Sequence, residues 1–135
     1  RCSSLEASIL LSDKSVGRMA SCASWAPLLL EAYVRLKAYS EEKNDSSSFI
    51  KLNYKFHFRL YEQCRSPELL QIIDSLWLKV SPFLYNSQRD DRHKLSNDNH
   101  RAIIEAVSNN DVESAKSALI EDITRSYDDI INSLF

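Results

Sequence analysis

The sequence predicts an all-α fold, an antiparallel bundle of about six helices. The 135 residues include one glycine and three prolines, whereas a β-sandwich or β-barrel needs a turn about every 8 to 12 residues and usually places glycine there. Apolar residues recur with the helical period of about 3.6 residues in nearly every segment. We therefore expect residues 1–135 to form one helical domain around a single core.

Three helices are predicted in the first half of the chain. A short apolar segment covers residues 3–12, and a longer helix covers residues 24–43 with Pro27 in its first turn, where proline is tolerated. Asp45 is a suitable N-cap for the third helix, which runs to residue 64. The apolar face of the second helix consists of Trp25, Leu28, Leu29, Ala32, Leu36 and Tyr39.

The fourth helix has a strong start signal. Ser66 offers a capping hydroxyl, Pro67 occupies the first helical position, and Glu68 places a negative charge at the positive end of the helix dipole. Pro82 lies further along the same apolar stripe. We expect it to kink the helix, because proline removes one backbone hydrogen bond.

The last two helices follow a polar interval. Residues 87–97 are mostly polar or charged, which predicts a loop or a frayed helix end. The fifth helix is expected over residues 97–107. Asp111 then follows a short polar connection and can cap the last helix, which runs to residue 133.

Composition and charge argue against several classes of function. The net charge is −2, so the chain lacks the basic surplus typical of a nucleic-acid binder. No apolar run approaches the roughly 20 residues of a membrane span, and no segment resembles a signal peptide. Cys2, Cys22 and Cys64 share no short spacing, which argues against a disulfide framework or a zinc knuckle and favours a cytoplasmic location.

Four polar residues fall on otherwise apolar helix faces. Asn53 and His57 are one turn apart on the third helix, His100 lies on the apolar stripe of the fifth, and Asp122 lies on that of the last. Three helices therefore direct these side chains at the interior. A buried carboxylate without a partner is costly or becomes protonated, so Asp122 needs a partner.

The spacing leaves two interpretations of this group open. Two imidazoles and a carboxylate can hold a divalent metal ion, and Asn53 can add a carbonyl oxygen. Alternatively, the four groups satisfy one another or hold a polar ligand through water, and an inward histidine is commonly just a hydrogen-bonded core residue.

Longer motifs resemble a known family. They are NYKFHFRLY at residues 53–61, SPELL at 66–70, NHRAIIEAV at 99–107 and DVESAK at 111–116. In this order they resemble the FCD domain, the C-terminal effector domain of the FadR subfamily of GntR transcription regulators. That family pattern has Asp-x-x-x-His, then His-x-x-Ile-x-x-Ala, then Asp-x-x-x-Ala, and a final His. The resemblance covers essentially the whole chain.

The resemblance implies a metal site and marks two departures from it. The family's metal ligands are the Asp and the three His of this pattern. His57 and His100 match, whereas Asn53 stands at the position of the Asp and Asp122 at that of the final His. Relative to the family pattern, this chain therefore lacks the carboxylate at residue 53 and has an additional carboxylate at residue 122. The implied cofactor is one divalent ion, either zinc, nickel or manganese.

The resemblance also implies the partners. A small carboxylate-type metabolite would bind in the bundle cavity, the domain would form a homodimer, and DNA would be bound only through an N-terminal winged helix-turn-helix domain that this chain does not contain. No membrane partner and no enzyme activity are implied. An arginine fork suits a carboxylate, and an aromatic side chain can line the pocket. The candidate effector-binding residues are Arg59, Arg89, Arg92, Arg101, Trp77 and Tyr85.

Two other classes of function compete with the sensor. A di-iron carboxylate enzyme needs two Glu-x-x-His pairs, and the chain contains none. Cys64 carries no signature of an activated nucleophile. A ligand-free interaction module, whose interior polar groups only fix helix register, predicts no cavity. The sensor predicts a cavity at His57 and His100.

Overall fold

The computed structural model describes residues 26–42, 46–87 and 92–135, and this part of the chain is helical without β-strands. The predicted all-α class is confirmed. The helix expected over residues 3–12 lies outside the described residues. The helices are α1 (Ala26–Glu42), α2 (Ser46–Tyr61), a 3-10 turn (Glu62–Cys64), α3 (Pro67–Ser87), α4 (Arg92–Ser108) and α5 (Val112–Leu134).

The five helices pack in a closed ring. Helix α1 packs against α2 and α4, α4 packs against α5, α5 packs against α3, and α3 returns to α2. Every helix contributes apolar side chains to one core, so their burial stabilises the ring as a unit. Core side chains exposed by 4% or less include Leu29, Leu36, Phe49, Phe56, Leu60, Ile73, Ile103 and Leu119.

The connection between α4 and α5 is fixed by local hydrogen bonds. Asn110 has a φ of 55°, a left-handed conformation that asparagine tolerates well. The Asp111 N–H donates to the Ala106 carbonyl at 2.9 Å, and the Asn110 N–H donates to the Val107 carbonyl at 3.1 Å, a Schellman ending for α4. Asp111 Oδ1 then accepts the Ser114 N–H at 3.1 Å and caps α5, as predicted. This tight hairpin sets the relative position of the residues that α4 and α5 direct inward.

Two details differ from the sequence expectations, and a third stays open. Helix α4 begins at Arg92 rather than at residue 97, because polar residues with ordinary helix propensity continue a helix where no Gly or Pro interrupts it. Leu28 is 43% exposed, since the core side of α1 is centred on Leu29 and Leu36 instead. Helix α3 continues past Pro82 to Ser87. The kink at Pro82 stays a prediction.

Replacing Ser66 with alanine tests the start of α3. The Leu69 N–H donates to Ser66 Oγ at 3.3 Å, so the cap satisfies one backbone donor that the helix leaves unpaired. We expect Ser66→Ala to lower the free energy of unfolding by about 1 kcal/mol in urea denaturation. The matched control Ser75→Ala, exposed in the same helix, should change it by less than about 0.5 kcal/mol. Equal losses in the two variants would contradict a capping role.

Candidate functional site

Three side chains from three helices meet in the interior of the ring. His57 of α2, His100 of α4 and Asp122 of α5 are 3%, 0% and 3% exposed, so the expectation that they point inward is confirmed. His57 Nε2 lies 3.0 Å from Asp122 Oδ2, His100 Nε2 lies 3.4 Å from the same oxygen, and the two Nε2 atoms are 3.3 Å apart. Three potential ligand atoms therefore form a nearly equilateral triangle.

The size of this triangle fits a single metal ion. Two donors bound to one ion at about 2.1 Å lie about 3.0 Å apart at an octahedral angle and about 3.4 Å apart at a tetrahedral angle. The three observed separations, from 3.0 to 3.4 Å, fall within that range. The group of His57, His100 and Asp122 could hold a metal ion without large rearrangement.

Two neighbouring side chains orient the group. The hydroxyl of Tyr61 lies 3.4 Å from His57 Nδ1, and the side-chain amide of Asn99 donates to Asp122 Oδ1 at 3.4 Å. Such outer contacts fix the direction in which an imidazole or a carboxylate presents its free atom. Neither role was predicted from the sequence. Tyr61 lies one turn after His57 and Asn99 directly precedes His100, which was the available signal.

Burial and mutual contact set the protonation of the group. Burial lowers the pKa of His57 and outweighs the opposing effect of Asp122. Burial raises the pKa of Asp122, but the charge and hydrogen bonds of His100 and His57 together hold it below its ordinary value. A neutral imidazole beside an ionised carboxylate is the combination that binds a metal ion.

The hydrogen bonds within the group have defined donors and acceptors. The ionised Asp122 carboxylate can only accept, so its Oδ2 receives the Nε2–H groups of His57 and His100. The Nδ1 atom of the neutral His57 imidazole is then an acceptor, to which the Tyr61 hydroxyl can donate. His100 Nδ1 has no hydrogen-bond partner among the described residues. An ion held at the two Nε2 atoms would leave the proton of each neutral imidazole on Nδ1, and His57 would then donate to the Tyr61 oxygen.

A cleft opens beside this group. Its volume is about 490 Å³, within the range of small-molecule sites, and α2, α3 and α5 form its walls. The α2 wall consists of Asn53, His57 and Tyr61. Asn53 Oδ1 is buried there without a hydrogen-bond partner among the described residues. The remaining lining residues are Ile73, Leu76, Trp77, Val80, Phe83 and Leu84 of α3, and Asp122, Ile123, Ser126, Tyr127 and Ile130 of α5.

The arginines expected to bind an effector do not line this cleft among the described residues. Arg59 is exposed in the last turn of α2. Arg101 is exposed on α4 and pairs with Asp98 on its own helix at 3.6 Å. Arg89 lies outside the described residues, and only the backbone of Arg92, the first residue of α4, is described. The described part of the cleft therefore contains no cationic side chain.

The two aromatic candidates are placed differently from each other. Trp77 lines the cleft, where its ring lies 5.6 Å from that of His57. Tyr85 is 52% exposed and is not among the residues that line it. The α3 lining residues were visible in the sequence only as an apolar stripe, with nothing to separate core from cleft.

A helical ring with a buried imidazole–carboxylate group beside a cleft of this size defines a ligand-binding helical domain. The sensor interpretation predicts a cavity at His57 and His100, whereas the ligand-free module predicts none. The cleft borders His57, but His100 is not among the described residues that line it. The family model of the FCD domain matches residues 16–125, so the chain belongs to the FCD-domain family. FCD domains are the effector-binding domains of GntR-family transcription regulators, regulatory ligand-binding domains rather than enzymes.

Matches to other proteins were sought among curated proteins and among solved structures. No curated protein and no solved structure matches the chain. None of the described helices combines the length and the apolar character needed to cross a membrane.

Proposed function

We propose that the domain binds a carboxylate effector through one divalent metal ion held by His57, His100 and Asp122. The observation that carries this proposal is the triangle of three buried donor atoms, 3.0 to 3.4 Å apart, in an FCD domain with an adjoining cleft. Two of the three residues, His57 and Asp122, line that cleft. An ion at this position would be reachable by a ligand.

The charge of the group supports a metal-dependent mode of binding. The ionised Asp122 carboxylate lines the cleft and carries a negative charge, which repels an organic acid. The described cleft residues include no lysine or arginine to offset it. A bound divalent ion supplies the positive charge that an effector carboxylate needs. Imidazole ligands favour zinc or nickel over manganese.

Asn53 is proposed as a fourth ligand atom or as an acceptor for the effector. It lies one turn before His57 on the same cleft wall, and its buried Oδ1 lacks a hydrogen-bond partner among the described residues. Either a metal ion or a donor group on the effector would satisfy that oxygen.

Replacing Asn53 with aspartate separates these two roles. A carboxylate binds a divalent ion more strongly than an amide carbonyl, so Asn53→Asp should raise zinc affinity by about tenfold or more if the side chain reaches the ion. Zinc competition against a chromophoric chelator measures the change. Asn132→Asp, exposed on α5, is the control and should leave zinc affinity unchanged. Unchanged affinity in Asn53→Asp would exclude it as a ligand and leave the acceptor role.

The wider regulatory scheme belongs to the same proposal. We propose a cytoplasmic homodimer in which effector binding changes helix packing and thereby the spacing of the winged helix-turn-helix domains that contact DNA. The family assignment supports this scheme, and exposed apolar side chains on α1, including Leu30 and Val34, offer surface for a second copy. Sedimentation of the purified domain is expected to give a dimer, and a monomer at all concentrations would contradict it.

Thermal unfolding tests the metal-dependent function. After chelator treatment, addition of zinc should raise the Tm, because the ion binds only the folded arrangement of donors. An organic acid such as hexanoate should raise the Tm further when zinc is present and much less when chelator is present. An equal response to the acid in both conditions would contradict a metal-dependent mode of binding.

A further inference from the structure

We infer that the effector is a monocarboxylate with an apolar body, an aliphatic chain or an aromatic ring, rather than a short dicarboxylic or tricarboxylic acid. This inference rests on the proposed function and adds the class of ligand. The carboxylate lies at the His57 and Asp122 side of the cleft, and the apolar body lies against α3.

The α3 wall is the first observation. All six α3 residues that line the cleft are apolar or aromatic, whereas the α2 wall is polar. Val80 and Phe83 are 39% and 44% exposed while they line the cleft, so their apolar surface still faces solvent. Covering that surface with an apolar group is favourable in proportion to the area removed from water.

The charge of the lining is the second observation. Asp122 is the sole charged side chain among the described residues that line the cleft. One carboxylate can be neutralised by an ion at the three-residue group. A second or third carboxylate would lie against apolar side chains, with no cationic partner among the described lining residues, which carries a large desolvation cost.

The volume is the third observation. A cleft of about 490 Å³ is sized for a small organic molecule rather than for an acid of two or three carbons. A ligand of that smaller size at the His57 side would leave the far side chains, such as Phe83 and Ile130, in contact with water. A longer apolar body would cover them and gain affinity with each added carbon.

A chain-length series on the zinc-loaded domain tests the inference. Isothermal titration is run with acetate, butanoate, hexanoate and octanoate, and with succinate and citrate. Each added methylene that reaches the α3 wall should tighten binding by about threefold to fourfold, so octanoate should bind about tenfold more tightly than hexanoate. Succinate and citrate should bind more weakly than hexanoate.

Two variants of α3 locate the effect. Phe83→Ala removes apolar surface from the cleft and should weaken octanoate binding by about tenfold, with little change for acetate. Leu78→Ala is the matched control, because Leu78 is 70% exposed on the same helix and does not line the cleft. It should leave octanoate binding unchanged. Both side chains are exposed and alanine is a strong helix former, so both variants should fold.

The outcomes separate this inference from the proposed metal site. Zinc binding is measured in parallel. The first outcome is that zinc binds, but the acids of the chain-length series all bind with equal affinity, or succinate or citrate binds more tightly than hexanoate. This outcome overturns the inference and leaves the metal site intact. That outcome would assign the cleft to a polar metabolite, a segment of this chain or a second copy. A clear chain-length dependence without zinc binding supports the apolar subsite and overturns the metal. Equal losses in Phe83→Ala and Leu78→Ala would indicate non-specific binding and overturn the inference.

Discussion

Replacing Asp122 with asparagine is expected to lower zinc affinity by about 100-fold or more while the domain stays folded. The carboxylate is the single negative ligand of the buried group, and its Oδ2 lies within 3.4 Å of both histidine Nε2 atoms. An asparagine side chain of the same shape keeps an oxygen but loses the charge that attracts the ion. The new NH2 group of asparagine also faces another hydrogen-bond donor, either the Asn99 amide or a histidine Nε2–H. This unmade hydrogen bond should lower the free energy of unfolding by about 1 to 3 kcal/mol.

Asp128→Asn is the matched control for this prediction. Asp128 is an exposed aspartate on the same helix, so its substitution removes the same charge from α5 without touching the buried group. Its zinc affinity should stay within about twofold of the parent, as expected for an exposed charge. Zinc competition with a chromophoric chelator, together with circular dichroism to verify folding, gives the comparison. Equal zinc affinity in a folded Asp122→Asn variant would show that Asp122 is not a ligand.

The second large effect is a loss of stability of the metal-free domain in mild acid. Burial lowers the pKa of His57 below its ordinary value of about 6.5, so the unfolded chain binds more protons than the folded domain below that pH. The free energy of unfolding therefore falls as pH decreases from about 6.5, by up to about 1.4 kcal/mol per pH unit for a full proton difference. The pKa of Asp122 is also lowered, which adds a loss of the same sign below about pH 4.

Urea denaturation in the presence of chelator at pH 5.0, 6.0 and 7.0 measures this dependence. His57→Gln removes the titrating imidazole, and its amide can still donate to Asp122. The variant can be less stable overall. Between pH 5 and 6.5, however, its free energy of unfolding should depend less steeply on pH than that of the parent, by a slope that corresponds to at most one proton. The same slope in parent and variant would contradict a buried, neutral His57. A parent domain that becomes more stable as the pH falls would contradict the predicted direction of the pH dependence.

The parts of the structure that the sequence predicted have local causes. Ser66 and Asp111 cap helices because each side chain bonds a backbone N–H three residues later. His57, His100 and Asp122 are buried because each lies on the apolar stripe of its own helix, which a single helical period identifies. The stripes place three polar groups inside, and a carboxylate in such a place needs partners that only the other helices can supply.

The parts that the sequence did not predict depend on how the helices pack. The cleft exists because α3 contacts α5 and α2 without filling the space between them, and no local pattern distinguishes Val80 in a cleft from a residue in a core. Arg59 and Arg101 were candidates by their charge, yet their positions on α2 and α4 turn them to solvent. The contact of Asn99 with Asp122 likewise requires the α4–α5 pairing to be known.

Elemental analysis of the purified domain tests the central claim most directly. The domain and a His57→Ala, His100→Ala double variant are incubated with zinc, nickel or manganese, desalted and measured for metal per chain. We predict about one equivalent of zinc or nickel in the parent and almost none in the folded double variant. No metal in the parent, or equal amounts in both proteins, would contradict a metal site at the buried group.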